Sequence, residues 1–148
     1  MTKQDFEERS HRIIRKDVVL SESELDAWTR SRDWLASQVL RVNGEPSRRQ
    51  SPRARLSVPV HVAGIGNAVT EDLGFRGLSL MAKHQLDVRA GQEQSLRVSI
   101  LGRSIYATAR VIWSDDLRMG LAIIAIHPSD EYALQAAVCV QHLECWPD

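Results

Sequence analysis

Between residues 54 and 127 apolar side chains recur at every second position. Leu56, Val58, Val60 and Val62 alternate with Ser57, Pro59 and His61. Val69, Glu71 and Leu73 lead into a glycine-bounded turn, followed by Leu78 and Leu80. Leu96, Val98 and Ile100 alternate next, then Ile105, Ala107, Ala109, Val111 and Trp113, and the apolar run Arg118 to Ile126 ends the set. A period of two sends successive side chains to opposite faces of a strand. Pro59 lacks a ladder donor and demotes its strand to an edge or bulge position. Turn signals at Gly64-Ile65-Gly66-Asn67, Leu101-Gly102-Arg103 and Ser114-Asp115-Asp116 separate the runs. Short strands at this spacing, with no helical pattern between them, predict a mainly β chain with a small antiparallel barrel or sandwich.

The flanks have a different period. Ser21 with Glu24 forms a capping-box pattern that opens a helix over Ser21 to Leu40. Leu25, Trp28, Leu35 and Val39 fall near one face of it. Arg32 interrupts the stripe by laying its stem along the edge, and Trp34 points away. Residues 1–20 read equally as a short helix or an extended segment. Residues 43–53, NGEPSRRQSPR, carry the Gly and Pro punctuation of a linker. Pro128 opens a last helix, with Ser129-Asp130-Glu131 placing negative charge in its first turn. Its body, YALQAAVCVQHLECW, is apolar on more than one side, which predicts burial on two faces. The expected organisation is a helical extension (1–42), a linker (43–53) and a β domain with its C-terminal helix (54–148).

Composition narrows the class. The 148 residues are one domain's worth, and 43% hydrophobic with 26% charged residues is ordinary for a globular protein. Lys+Arg and Asp+Glu are each 19, so the formal net charge is zero, which argues against a general nucleic-acid binder. No apolar run approaches the ~18 residues of a membrane span, and the start, MTKQDFEERSHR, lacks an apolar signal core. Cys139 and Cys145 would point to different sides of a helix. The expectation is a cytoplasmic protein with buried free thiols.

No catalytic or metal-binding constellation emerges, so no enzyme and no cofactor is expected. The five histidines form no ligand spacing, and Asp115-Asp116 reads as turn chemistry. One cluster stands out. The stretch RRQSPRAR holds Arg48, Arg49, Arg53 and Arg55 with no acid. It is either a solvated basic linker or an anion clamp, since guanidinium forks match phosphate oxygens and the guanine edge. Asp72-Leu73-Gly74-Phe75-Arg76-Gly77 is either a plain glycine turn or a ligand contact with Asp72 as acceptor and Gly77 permitting close approach.

Together, Arg49-x-x-x-Arg53 and Asp72-x-Gly74-x-x-Gly77 resemble the two motifs of the PilZ domain, Arg-x-x-x-Arg and Asp/Asn-x-Ser-x-x-Gly. Arg48 beside Arg49 matches the frequent doubled form, and Ala109-Arg110-Val111-Ile112-Trp113 with Arg118-Met119-Gly120-Leu121 resembles its last two barrel strands. The resemblance covers about 48–127 and implies a six-stranded antiparallel PilZ-like β-barrel, with the C-terminal α-helix and N-terminal helical extension added. It also implies binding of cyclic di-GMP, with Arg48, Arg49 and Arg53 as the clamp and Asp72, Gly74 and Gly77 as second-motif positions. Trp113 is a further candidate for packing near the nucleotide. Gly74 stands where the family usually has Ser. The missing hydroxyl removes a hydrogen bond worth ~0.5–1.5 kcal/mol, so it weakens binding without abolishing it. The expected function is a cyclic di-GMP receptor or adaptor that orders the arginine linker and signals to a protein partner, without membrane insertion. The alternative is a nucleotide-independent interaction module of the same fold.

Overall fold

The alternating segments pair into a closed barrel in the computed structural model, which describes residues 1–15, 19–42 and 51–147. The strands are β1 (Arg53–Ala54), β2 (Pro59–Val62), β3 (Gly66–Gly74), β4 (Gly77–Ala82), β5 (Glu93–Ile100), β6 (Arg103–Asp115) and β7 (Arg118–Ile126). Every pairing is antiparallel, in the order β3-β2-β5-β6-β7-β4, and β4 returns to β3 to close six strands into a ring. Two-residue β1 adds to the far end of β3. The β5–β6 hairpin turns through Leu101 and Gly102, both at positive φ (48° and 81°), the twist that suits a two-residue connection.

The structure corrects the expectation of a single strand from Leu56 to Val62. The ladder starts only at Pro59. Ahead of it Thr70 holds the chain largely through its buried side chain: its hydroxyl donates to the Leu56 carbonyl and accepts the Val58 N–H at 2.9 Å, and its backbone N–H donates to the Val58 carbonyl at 3.0 Å. Leu56 and Val58 still pack against the core, so the alternation there reported burial rather than pairing. A second correction concerns β3. A bulge between Thr70 and Asp72 shifts the phase, so that Val69 faces outward while Leu73 is fully buried.

The ambiguous N-terminal segment contains helix α1 (Lys3–Arg15), with Phe6, Ser10 and Ile14 buried along one face. The Ser10 hydroxyl donates to the Phe6 carbonyl and accepts the Trp28 indole N–H at 2.9 Å, and the Phe6 and Trp28 rings stack at 5.7 Å. Helix α2 (Glu22–Val42) opens on the expected capping box: Glu24 N–H donates to Ser21 Oγ and Ser21 N–H to Glu24 Oε1. Arg32 covers the Trp28 ring at 5.7 Å and donates to Gln135 Oε1 at 2.7 Å. Trp34 leaves the stripe to meet Trp146 edge-on.

Helix α3 (Pro128–Cys139) is buried all round from Ala133 to Cys139, as its two-sided apolar pattern requires. It lies between the barrel and α1 and α2. The expected continuation to Trp146 is corrected. The chain tightens into a 3-10 segment, Val140–Cys145, that breaks at His142. Burial pushes the Cys139 thiol up to about 12. Arg103, at the start of β6, ties the layers together. Its guanidinium donates to Asp130 Oδ1 of α3 at 2.9 Å and to the Ile13 carbonyl of α1 at 2.8 Å. Among the described residues no helix is long and apolar enough to cross a membrane.

Candidate functional site

The β1–β3 ladder sets Arg53 directly opposite Gly74. With no side chain on Gly74, the Arg53 stem lies flat across the strand: a Cβ there would fall 3.3 Å from Arg53 Cγ. The Arg53 guanidinium is half exposed, and its Nη1 is 3.6 Å from Asp72 Oδ1. That same oxygen accepts the Ser79 N–H at 3.2 Å. The β3 bulge matters here. In unbroken alternation with the buried Thr70, Asp72 would point into the barrel; the extra residue turns it toward Arg53 instead. Desolvation of an unpaired carboxylate inside the barrel would be prohibitive, so the bulge and the acid belong together.

A second bulge builds the opposite wall. β6 alternates with Val111 inward, and the expected run continues inward to Trp113. The register shift between Val111 and Trp113 reverses this, and both Ile112 and Trp113 face out. The Trp113 indole then lies on Gly120 of β7. Gly77 has its own structural duty: a Cβ there would sit 2.8 Å from the Leu121 carbonyl, so β4 and β7 close only on glycine.

Arg53, Gly74, Arg76, Gly77, Ile112, Trp113 and Gly120, with Ser51, Leu78, Leu121 and Ala122, line one open groove of about 390 Å³. Among the described residues its only charged lining groups are Arg53 and Arg76. Asp72 stands behind Arg53 rather than in the lining. The structure therefore brings Arg53, Gly74, Gly77 and Trp113 together, with Asp72 one ion pair away. Arg48 and Arg49 lie outside the described residues. A glycine floor, an exposed indole and two guanidinium groups can seat a planar base against an aromatic surface and hold an anionic oxygen with charge-assisted hydrogen bonds.

Sequence reasoning missed Gly120, Ile112, Arg76 and His142. Gly120 carried a signal, because a glycine inside an apolar strand marks a close approach. Arg76 was hidden as an unspecified position within the second motif. His142 carried none: its Nε2 lies 2.8 Å from the Arg53 carbonyl, a contact across the whole barrel sequence.

A family model described as the PilZ domain matches residues 47–138, more than half of the chain. No curated protein matches it. Among solved structures the chain is similar to the Bacillus subtilis inhibitor of motility (MotI/DgrA), with 19% identity and a TM-score of 0.60, covering 67% of this chain and 53% of that one. It thus spans about half the length of that protein. It is also similar to the PilZ domain of CeSA from a cellulose-synthesizing bacterium (23% identity, TM-score 0.49, 60% of this chain and 95% of that one). A third similar structure is a Xanthomonas campestris protein described as a tetrameric PilZ domain assembled through a helical bundle (15% identity, TM-score 0.39, 93% and 75% covered). At 19% identity the likeness to the inhibitor of motility is one of fold. PilZ domains are regulatory receptor or adaptor domains, and no catalytic family is indicated. The family match spans the arginine stretch, the whole barrel and nearly all of α3, and the chain belongs to the PilZ domain family.

Proposed function

We propose that this chain binds cyclic di-GMP in the groove between β1 and the β6–β7 wall, and signals occupancy to a protein partner in the cytoplasm. The observation that carries this reading is the convergence of Arg53, Gly74, Gly77 and Trp113 on one groove whose described lining holds cations and no carboxylate. In this reading Arg48, Arg49 and Arg53 grip guanine and phosphate, Asp72 orients Arg53 from behind, and the Trp113 indole packs on a base. The ligand acts on the arginine-bearing linker at 43–53, whose last residue, Arg53, is already paired with Gly74 in β1. The extension at 1–42 is held separately, by Arg103 of β6 on the Ile13 carbonyl and by Arg32 on Gln135 of α3, so the signal need not consist of its release.

Calorimetric titration of the full chain with cyclic di-GMP tests the proposal. Micromolar or tighter binding is expected, with loss of at least about tenfold in Arg53→Ala, the equivalent of one charge-assisted contact. A heat-silent titration with no shift in melting temperature rejects it.

Two observations favour a second reading, a nucleotide-independent interaction module. Gly74 replaces the family's serine, and Asp72 Oδ1 is already engaged by Ser79 and Arg53. A pull-down that returns one partner with and without nucleotide, unaffected by Arg53→Ala, supports that alternative.

A further inference from the structure

Two arginines line the groove, and they differ in how their charge is compensated. Arg53 faces Asp72 at 3.6 Å. The neighbouring acid on β3, Glu71, is held by Arg118 at 3.2 Å. Arg76 has no ion-pair partner among the described residues, although it lies only a few residues from both acids in sequence. Its backbone is fixed, because its carbonyl accepts the Ile123 N–H of β7 at 2.8 Å. Its side chain is exposed on the groove wall.

We infer that Arg76 is a phosphate-contacting residue of this groove, holding a phosphodiester oxygen of the cyclic dinucleotide. The inference rests on the binding proposed above and adds a residue to it. An anion entering the groove meets in Arg53 a charge that already faces a carboxylate, Asp72. In Arg76 it meets a guanidinium that forms no ion pair with any described residue, on a backbone anchored to the barrel. A charge-assisted hydrogen bond is about twice as strong as a neutral one, so Arg76 more than offsets the hydroxyl missing at Gly74. The uncompensated charge also makes Arg76 the larger source of salt dependence, since an exposed cation attracts its ligand through screened solvent.

The test is calorimetry with cyclic di-GMP at low and high salt, on the full chain and on Arg76→Ala, Arg76→Lys and Arg110→Ala. Arg110 stands on β6 outside the groove lining, facing Glu93, and serves as the charge control. Arg76→Ala should weaken binding about 10- to 150-fold, the equivalent of one ionic hydrogen bond. It should also flatten the salt dependence, while Arg76→Lys restores part of both and Arg110→Ala changes neither. Thermal melts confirm that each variant is folded; Arg76→Gln replaces an Arg76 variant that is not, and Arg110→Gln replaces the control. Binding by the parent chain with Arg76→Ala within twofold of it overturns this inference alone. No binding by the parent chain overturns the receptor reading and this inference together.

Discussion

The Trp113 indole occupies the space that a side chain at Gly120 would need: a Cβ at Gly120 would fall 2.6 Å from Trp113 Cε2. The two residues face each other across the β6–β7 ladder, beside the bulge that turns Trp113 outward. One wall of the groove therefore depends on the absence of a single methyl group.

Gly120→Ala should expel the indole from its seat. Overpacking of this kind costs about 1–3 kcal/mol, and urea unfolding followed by tryptophan fluorescence measures it. Cyclic di-GMP binding should weaken in the same variant, because the stacking wall is displaced. Unchanged stability together with unchanged binding would show that the ring moves away without consequence.

Gly74→Ser restores the hydroxyl common in the family. The added Cβ meets Arg53 Cγ at 3.3 Å, and a flexible arginine stem can yield by the few tenths of an ångström required. Stability should stay within about 0.5 kcal/mol of the parent chain. Affinity should rise by up to about tenfold if the hydroxyl reaches the ligand. A fall in affinity would mean that Gly74 is needed to let Arg53 lie flat.

Arg103→Ala removes the group that joins β6 to both α1 and α3. Its side chain is 7% exposed and its partner Asp130 13%. Truncation leaves the largely buried Asp130 carboxylate with only the Tyr106 N–H and frees the Ile13 and Ile14 carbonyls, at a cost of about 3–5 kcal/mol. Chemical denaturation gives the magnitude. Faster amide exchange across α1 than across the barrel strands would locate the loss at the helical layer.

Cys139 supplies a pH dependence. Burial holds the folded thiol near 12, against an ordinary value of 9.0. Between pH 9 and 12 the unfolded chain loses this proton while the folded chain keeps it. Stability is therefore fully present below pH 9 and declines as pH rises, by about 1.4 kcal/mol per unit across that window. Cys139→Ala should flatten the alkaline limb of a stability–pH profile. In native buffer, Cys139 should resist alkylation more than the partly exposed Cys145.

Local patterns carried much of the architecture. A period of two marks a strand wherever one face is buried, and reciprocal hydrogen bonding between Ser21 and Glu24 needs only a few consecutive residues. The Arg-x-x-x-Arg and Asp-x-Gly-x-x-Gly spacings were visible for the same reason, and Arg53, Gly74 and Gly77 do meet in one groove. The same logic failed where phase changes. Glu71 and Ile112 each insert one residue into a ladder, and alternation cannot register an insertion until a partner strand exists to be out of step with. Those two bulges aim Asp72 at Arg53 and Trp113 at Gly120.

The amino-acid order alone determined most of the strands, the capped second helix, the doubly buried third helix and the motif glycines, because each depends on interactions between near neighbours. Only the tertiary structure decided the closure of β3 on β4, the outward turn of Trp113, the place of Arg76 in the groove and the reach of His142 to Arg53. Each of these joins positions far apart along the chain, and which distant groups become partners is settled by the packing of the whole barrel.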